Sequence, residues 1–289
     1  MYNVIMDNAS FEYLTEIRRA LRAGGDIQTV VIAQLKWLGY KPSICRSGVY
    51  VDVGRGTKTL LCADAEGDDL RHTESLLAVA RTLRKDKKAR ARLLFRMGED
   101  SDCIESDDKL LADVCELYAV RTADIAGAFG FTYGTAFIGC MTLDVTFDGV
   151  EAQKAAKTFA EFARGAAVRT GVSLEVADAE YTVSYYDTAK GESVLMQMER
   201  DANVVDDKLG TTHRITAKSV YPPIVNSALC VDRVRSVAGE LAVEVKPMAV
   251  ADAYAQYFAA TCGCLVLQSG GNNAAELEYE LYIGLIKEK

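Results

Sequence analysis

The order of predicted strands and helices changes partway along this chain, and this change constrains the fold more than any other feature. Between Gly139 and Val220 the pattern predicts strand, helix, strand, strand, helix and strand. The first of these strands alternates Leu143, Val145 and Phe147 with polar residues, as expected where one face of a sheet is buried. A β-α-β-β-α-β order within about 80 residues is typical of a ferredoxin-like unit.

The flanking segments follow the alternation of a layered α/β domain. Upstream, the patterns predict helices at 10–23, 26–39, 72–84 and 107–118, and strands at 48–53, 58–63, 91–97 and 125–131. The strands at 48–53 and 58–63 are expected to form a hairpin or to lie side by side. The segment Tyr221-Pro222-Pro223 then ends the block, and an α/β rhythm resumes. We therefore expect an α/β fold with two domains: a discontinuous one formed by 1–138 and 221–289, and an inserted one formed by 139–220.

Charge and composition exclude several classes of partner. The 41 acidic residues outnumber the 33 basic ones, so the net charge is −8, and such a surface repels nucleic acid. The longest apolar stretch, Phe258 to Leu267, falls short of the roughly 20 residues that a membrane helix needs. Eight cysteines without a framework of close spacings, in a chain with no N-terminal signal pattern, indicate reduced thiols in a cytoplasmic protein.

Seven short segments stand in an order that resembles a known family. They are Arg18-Arg19-Ala20-Leu21, Leu38-Gly39-Tyr40, Leu61-Cys62-Ala63-Asp64-Ala65-Glu66, His72-Thr73, Leu94-Phe95-Arg96-Met97-Gly98-Glu99-Asp100, Phe129-Gly130-Phe131 and Tyr221-Pro222-Pro223-Ile224-Val225-Asn226. They are similar to the motifs of the zinc-dependent amidohydrolase and aminoacylase metallopeptidases, which include hippurate hydrolase and auxin-conjugate hydrolases. The resemblance implies a zinc-exopeptidase-like α/β domain with an inserted ferredoxin-like domain that serves as lid and dimerisation domain.

The resemblance also implies two metal ions and a glutamate general base, but most ligands are absent from this chain. Gly67 and Asp69 stand where the family has a metal-binding cysteine and histidine. Thr132 stands where the family's "FGLH" motif ends in histidine. No histidine follows His213, so the late histidine ligand is missing as well. A dinuclear zinc centre is therefore not expected.

Five side chains remain as candidates for a residual site. Glu99 occupies the general-base position, Asp69 and Asp100 occupy degenerate ligand positions, and Asp64 and His72 are further metal-ligand candidates. Carboxylate oxygens suit Mg²⁺ or Mn²⁺ better than Zn²⁺. Each residue also has a simpler interpretation, since Glu-Asp pairs are common in solvated loops and a histidine near a helix start is often a capping residue.

Two functions are consistent with these residues. In the first, the chain is a noncatalytic homologue, a pseudoenzyme with no cofactor, whose cleft is empty or binds a small molecule or protein. In the alternative, it is an active hydrolase of N-acyl amino acids or small peptides that uses a divalent metal (Zn, Mn or Mg) in a carboxylate-rich site. The resemblance further implies a homodimer formed through the inserted domain. The dimer is expected to form through an exposed sheet edge or a helix of that domain, and the strand from Met141 to Phe147 is the predicted edge.

Overall fold

A computed structural model describes residues 8–23, 26–65, 70–97, 108–252 and 254–287. The chain forms two compact units. The first comprises Met1–Gly134, Val225–Lys246 and Gln256–Lys289, and the second comprises Thr135–Ile224 and Pro247–Ala255. No helix in the described ranges is long and apolar enough to cross a membrane.

The described residues form helices and strands with the following bounds. The helices are α1 (Asn8–Arg22), α2 (Ile27–Trp37), α3 (Arg71–Leu83), α4 (Asp108–Leu111), α5 (Ala152–Thr170), α6 (Thr188–Leu209), α7 (Ala228–Ala238), α8 (Ala255–Ala260) and α9 (Ala274–Lys287), with a 3-10 turn at Gly239–Leu241. The strands are β1 (Ser43–Cys45), β2 (Gly48–Val53), β3 (Lys58–Asp64), β4 (Ala91–Arg96), β5 (Val114–Thr122), β6 (Phe129–Phe131), β7 (Gly134–Phe137), β8 (Gly139–Asp148), β9 (Ser173–Ala177), β10 (Glu180–Tyr185), β11 (Thr212–Tyr221), β12 (Ile224–Asn226), β13 (Ala242–Glu244) and β14 (Gly263–Gln268). The α/β fold class is confirmed.

The first unit is built on one mixed sheet with the strand order β1-β2-β4-β3-β5-β14-β6-β13. Its four middle strands, β4, β3, β5 and β14, run parallel to their neighbours within this set. Every residue of β4 and of β14 is buried, as expected for parallel strands covered on both faces. Parallel pairing brings the carboxyl ends of all four strands to the same edge of the sheet.

Helix α3 lies at the centre of the helical layer of this unit. Ten of its thirteen residues are buried, and it packs against α1, α9 and β3. Leu76, Leu77 and Val79 belong to a hydrophobic core shared with Tyr282 and Ile283 of α9. The start of α3 is tied to the end of β3, because the hydroxyl of Thr73 donates a hydrogen bond to the backbone oxygen of Asp64 (3.0 Å).

Two predictions for this unit are wrong. Strands β2 and β3 do not form a hairpin, because β4 lies between them, antiparallel to β2 and parallel to β3. The helix predicted at 107–118 is a single turn, α4, followed by strand β5. Since β5 is buried between β3 and β14, its middle is a continuous apolar run, and periodicity cannot distinguish such a run from part of a buried helix.

The second unit has the predicted strand and helix order, β8-α5-β9-β10-α6-β11. Its antiparallel sheet has the strand order β11-β8-β10-β9. Alternate residues of β8 are buried, and they pack with Phe159 of α5 and Met198 of α6 in a separate core. Both helices end at a glycine in the left-handed conformation, Gly171 (φ 70°) and Gly210 (φ 63°), which is the usual termination signal.

Strand β8 is not the exposed edge that the sequence predicted. It pairs with β11 on one side and with β10 on the other, so its alternating pattern reflects one buried sheet face and not a free edge. The strands at the two ends of this sheet are β9 and β11. Any pairing with a second chain through this sheet would therefore involve one of those two strands.

His213 on β11 lies in a small acidic cluster. Its Nδ1 is 2.6 Å from a carboxylate oxygen of Asp206, and its Nε2 is 3.4 Å from one of Glu199. Burial alone would lower the pKa of the imidazole, but the hydrogen bonds and charges of Asp206 and Glu199 outweigh burial and raise the pKa above 6.5. The folded state therefore binds a proton more tightly than the unfolded state does.

This cluster predicts a pH-dependent contribution to stability. Because the pKa of His213 is raised on folding, its contribution is complete below pH 6.5 and disappears as the pH rises through the folded-state pKa. We expect His213→Asn to reduce the free energy of unfolding more at mildly acidic than at mildly alkaline pH, measured by denaturant titration. If the substitution lowers the free energy of unfolding equally at mildly acidic and at mildly alkaline pH, the prediction is wrong.

Candidate functional site

The four parallel strands of the first unit end in polar side chains along one edge. Their last residues are Arg96, Asp64, Thr122 and Gln268. In the register of the sheet, Asp64 lies beside Arg96 and Thr122 lies beside Gln268. Ligand sites of open α/β sheets lie beyond the carboxyl ends of the strands, so this edge is the candidate site.

Asp64 is held by two arginines. Nε of Arg96 donates to Oδ1 of Asp64 at 2.7 Å, and Nη1 of Arg121 forms an ion pair with Oδ2. The three side chains are only 7% (Arg96), 14% (Asp64) and 22% (Arg121) exposed. Both carboxylate oxygens of this metal-ligand candidate therefore contact guanidinium groups.

His72, the second residue of α3, is buried with hydrogen-bond partners at both ring nitrogens. Its Nδ1 is 2.7 Å from Oε2 of Glu278 on α9, and its Nε2 is 3.0 Å from the Thr122 hydroxyl. His72 is 5% exposed and Glu278 is fully buried. Neither interaction is the helix capping that the start of α3 suggested, and both ring nitrogens of His72 contact protein groups.

The other three candidates lie outside the described residues. These are Asp69, Glu99 and Asp100. Within the described ranges, no group of three His, Cys, Asp or Glu side chains has a geometry that could hold a metal ion. Since Asp64 contacts two cations and His72 is bonded at both nitrogens, the described part of this edge does not fit a dinuclear metal centre.

Two of the family-like segments, the one that ends at Phe131 and the one that ends at Asn226, contact each other through Thr132 and Asn226. Thr132 follows β6 and is buried, and its backbone oxygen accepts a hydrogen bond from Nδ2 of Asn226 (3.1 Å). The same amide also donates to the Leu265 backbone oxygen at 3.2 Å and accepts from the Leu265 N–H at 2.8 Å. Asn226 therefore connects β12, β14 and the end of β6. Strand β6 does not pair with β3. Strand β5 pairs with β3 on the side away from β4, and this pairing places Arg121 next to Asp64.

Sequence reasoning missed Arg121, Thr122 and Glu278. Arg121 and Thr122 end strand β5, whose residues the sequence patterns predict partly as a helix and partly as a loop. Glu278 had a usable signal, because it stands four residues after Ala274 and four before Tyr282 on a helix face that is otherwise apolar. A lone carboxylate at such a position is rarely fully buried unless it is paired.

No protein-family model matches the sequence, and no curated protein matches it. The fold, however, matches solved structures of M20 peptidases and amidohydrolases over nearly the full chain. This confirms the fold that the motif resemblance implies.

Three of these structures illustrate the likeness. The Bacillus subtilis YxeP protein, a dinuclear metal-binding peptidase of the M20 family, has a TM-score of 0.77 at 14% identity and covers 97% of this chain and 98% of its own. An aminobenzoyl-glutamate utilization protein from Klebsiella pneumoniae has a TM-score of 0.66 at 11% identity, with 99% and 98% covered. An amidase of the hydantoinase/carbamoylase family from Burkholderia vietnamiensis has a TM-score of 0.64 at 10% identity, with 97% and 96% covered.

The arginine contacts predict a structural role for the Asp64 carboxylate. Asp64→Asn keeps the shape of the side chain but leaves two partly buried guanidinium groups without their counter-charge, so we expect the free energy of unfolding to fall by about 3–5 kcal/mol. The loss should be the same with and without a chelator. Denaturant titration measures both values.

Asp232→Asn is the matched control, because Asp232 pairs with Arg235 at the surface, where both side chains are more than half exposed. We expect that substitution to change stability by less than about 1 kcal/mol. Equal effects of the two substitutions, or a loss at Asp64 that appears only when metal is present, would contradict this role.

Proposed function

We propose that this chain is an amidohydrolase-like protein that does not carry out metal-dependent amide hydrolysis and whose role is binding or structural. One observation supports the proposal most directly: the Asp64 carboxylate at the strand ends is engaged by Arg96 and Arg121. In a metal-dependent hydrolase, carboxylates at such an edge must be available to cations from solution.

Electrostatics favours the arginines over a metal ion at this position. A divalent ion about 4 Å from one guanidinium is repelled by roughly 8 kcal/mol at an effective dielectric constant near 20. Two guanidinium groups contact Asp64, while the carboxylate itself supplies a single negative charge. A metal ion bound to Asp64 would have to displace at least one arginine that is mostly buried.

His72 gives a second, independent argument. To ligate a metal through Nδ1, its ring would have to leave Glu278, which is fully buried. Removing one partner of a buried pair generally costs about 3–5 kcal/mol, because the other charge stays buried without compensation. Ligation through Nε2 would instead remove the hydrogen bond to Thr122. The described residues therefore favour a site without metal.

Metal content and amidase activity together test this proposal. We expect the protein, purified without added metal, to contain no stoichiometric zinc pair by elemental analysis. We expect it to hydrolyse N-acyl amino acids no faster than background with Zn²⁺, Mn²⁺ or Co²⁺. Glu99→Gln should then leave every amidase measurement unchanged, as should the matched substitution Asp148→Asn in the second unit.

A different result would support the carboxylate-site hydrolase. If the wild type is active with a divalent metal, and Glu99→Gln lowers that rate at least about 100-fold while Asp148→Asn does not, Glu99 acts as a general base. The noncatalytic proposal would then be wrong.

The second unit supports a proposal about assembly, namely a homodimer formed through one end of its sheet. Strand β9 alternates exposed and half-buried residues, and end strands offer backbone groups for pairing with another chain. We expect light scattering to give twice the chain mass of 31.4 kDa at high protein concentration. A constant mass of one chain across the accessible concentrations would contradict the dimer.

A further inference from the structure

Three side chains from three elements form a continuous hydrogen-bonded series at the strand ends. The Thr122 hydroxyl at the end of β5 is 3.0 Å from Nε2 of His72, and Nδ1 of His72 is 2.7 Å from Oε2 of Glu278. Burial increases along the series: Thr122 is exposed, His72 is buried with 5% of its surface exposed, and Glu278 is fully buried. Catalytic triads show the same order of burial, with an accessible nucleophilic hydroxyl, a histidine base and an enclosed carboxylate that orients the base.

A fourth residue, Arg71, contacts the hydroxyl of Thr122. Nη2 of Arg71 lies 3.3 Å from the Thr122 hydroxyl oxygen, and a guanidinium can only donate. A hydroxyl oxygen that accepts from Arg71 can still donate its own proton to Nε2 of His72, with Nδ1–H donating to the Glu278 carboxylate. The positive charge of Arg71 also favours the alkoxide form of Thr122.

We propose that Thr122, His72 and Glu278 form a metal-independent acyl-transfer triad that acts on small carboxylic esters. Thr122 is the nucleophile, His72 is the general base, and Glu278 orients the imidazole. The inference goes beyond the proposed function: it keeps the loss of metal-dependent amide hydrolysis, and it replaces a binding or structural role by a different reaction that needs no metal. Loss of metal-dependent amide hydrolysis leaves the triad in place.

The chemistry balances without a further reactant. The Thr122 oxygen adds to the ester carbonyl carbon as its proton passes to Nε2 of His72. The tetrahedral intermediate then expels the alkoxide, which leaves as an alcohol with the proton from Nε2. Water attacks the acyl-threonine by the same route, giving the carboxylic acid and restoring the threonine proton. Arg71 places positive charge next to the oxyanion that forms.

A purely structural role does not account for the whole series. A connection between α3 and α9 needs only His72 and Glu278, whereas the series continues to the exposed side chain of Thr122. The second oxygen of the Glu278 carboxylate, Oε1, is buried and has no hydrogen-bond partner among the described residues. A role for Glu278 in orienting the imidazole is one explanation for this oxygen.

Acylation by p-nitrophenyl acetate in the presence of a chelator tests the triad. We expect a burst of nitrophenolate, with the acetyl group located on Thr122 by peptide mass spectrometry. Thr122→Val keeps the shape of this exposed side chain and should remove the adduct and lower the burst rate at least about 100-fold. Thr122→Ser should retain the burst. Thr57→Val, at another exposed threonine, is the matched control and should behave as the wild type.

Glu278→Gln separates orientation from mere packing. If this variant unfolds at the wild-type temperature but acylates Thr122 at least tenfold more slowly, Glu278 positions His72. If it is too unstable to test, the comparison of Thr122→Val with Thr122→Ser still decides whether Thr122 is the nucleophile. Acetylation only at lysine or cysteine, or an equal burst in wild type and Thr122→Val, would overturn the proposal.

These outcomes are independent of the metal experiments. Chelator-sensitive amide hydrolysis that depends on Glu99 would refute the proposed function and leave the triad untouched. Absence of a Thr122 adduct would refute the triad and leave the noncatalytic proposal in place.

Discussion

Parallel pairing of β4, β3, β5 and β14 is the constraint from which the chemistry of this molecule follows. Parallel strands in the middle of a sheet are covered on both faces, so polar groups collect where the strands end. At this edge they are close together and poorly hydrated. Each buried charge there must therefore be paired or hydrogen-bonded. The pairs that result, Asp64 with two arginines and His72 with Glu278, are what that edge can use for binding or reaction.

The same fold can hold different chemistry at this edge. The YxeP protein is a dinuclear metal-binding peptidase, whereas the described residues here place guanidinium groups beside the Asp64 carboxylate. An arginine provides positive charge that is covalently attached and always present. Unlike a metal ion, it cannot lower the pKa of a bound water to make a nucleophile. Fold similarity therefore predicts the scaffold of this protein and leaves its reaction open.

Most of the scaffold could be predicted from the sequence because its elements carry regular hydrophobic patterns. The block from Gly139 to Val220 is clear, since a strand with one buried face alternates strictly. Strand β5 was misread because burial on both faces removes that alternation. The misreading also hid part of the site, since Arg121 and Thr122 were not placed at a strand end.

Asp64 and His72 could be selected from the sequence because each lies in a motif-like segment next to a strand end or a helix start. Their partners could not be selected in this way. Arg96 and Arg121 reach Asp64 from neighbouring strands, and strand order is not encoded in local periodicity. Glu278 was recognisable as an unusual residue on an apolar helix face, but its contact with His72 depends on the packing of α3 against α9.

The contact between His72 and Glu278 joins residues 206 positions apart, and this affects how the molecule is made. After α3, a ribosome must synthesise β5, the whole second unit and the first turn of α9 before Glu278 is added. During that interval the apolar faces of α3 have no α9 to cover them, and exposed surface of this kind promotes aggregation. The strand-end chemistry is therefore assembled in the final stage of synthesis, so incomplete chains lack it however well their earlier parts fold.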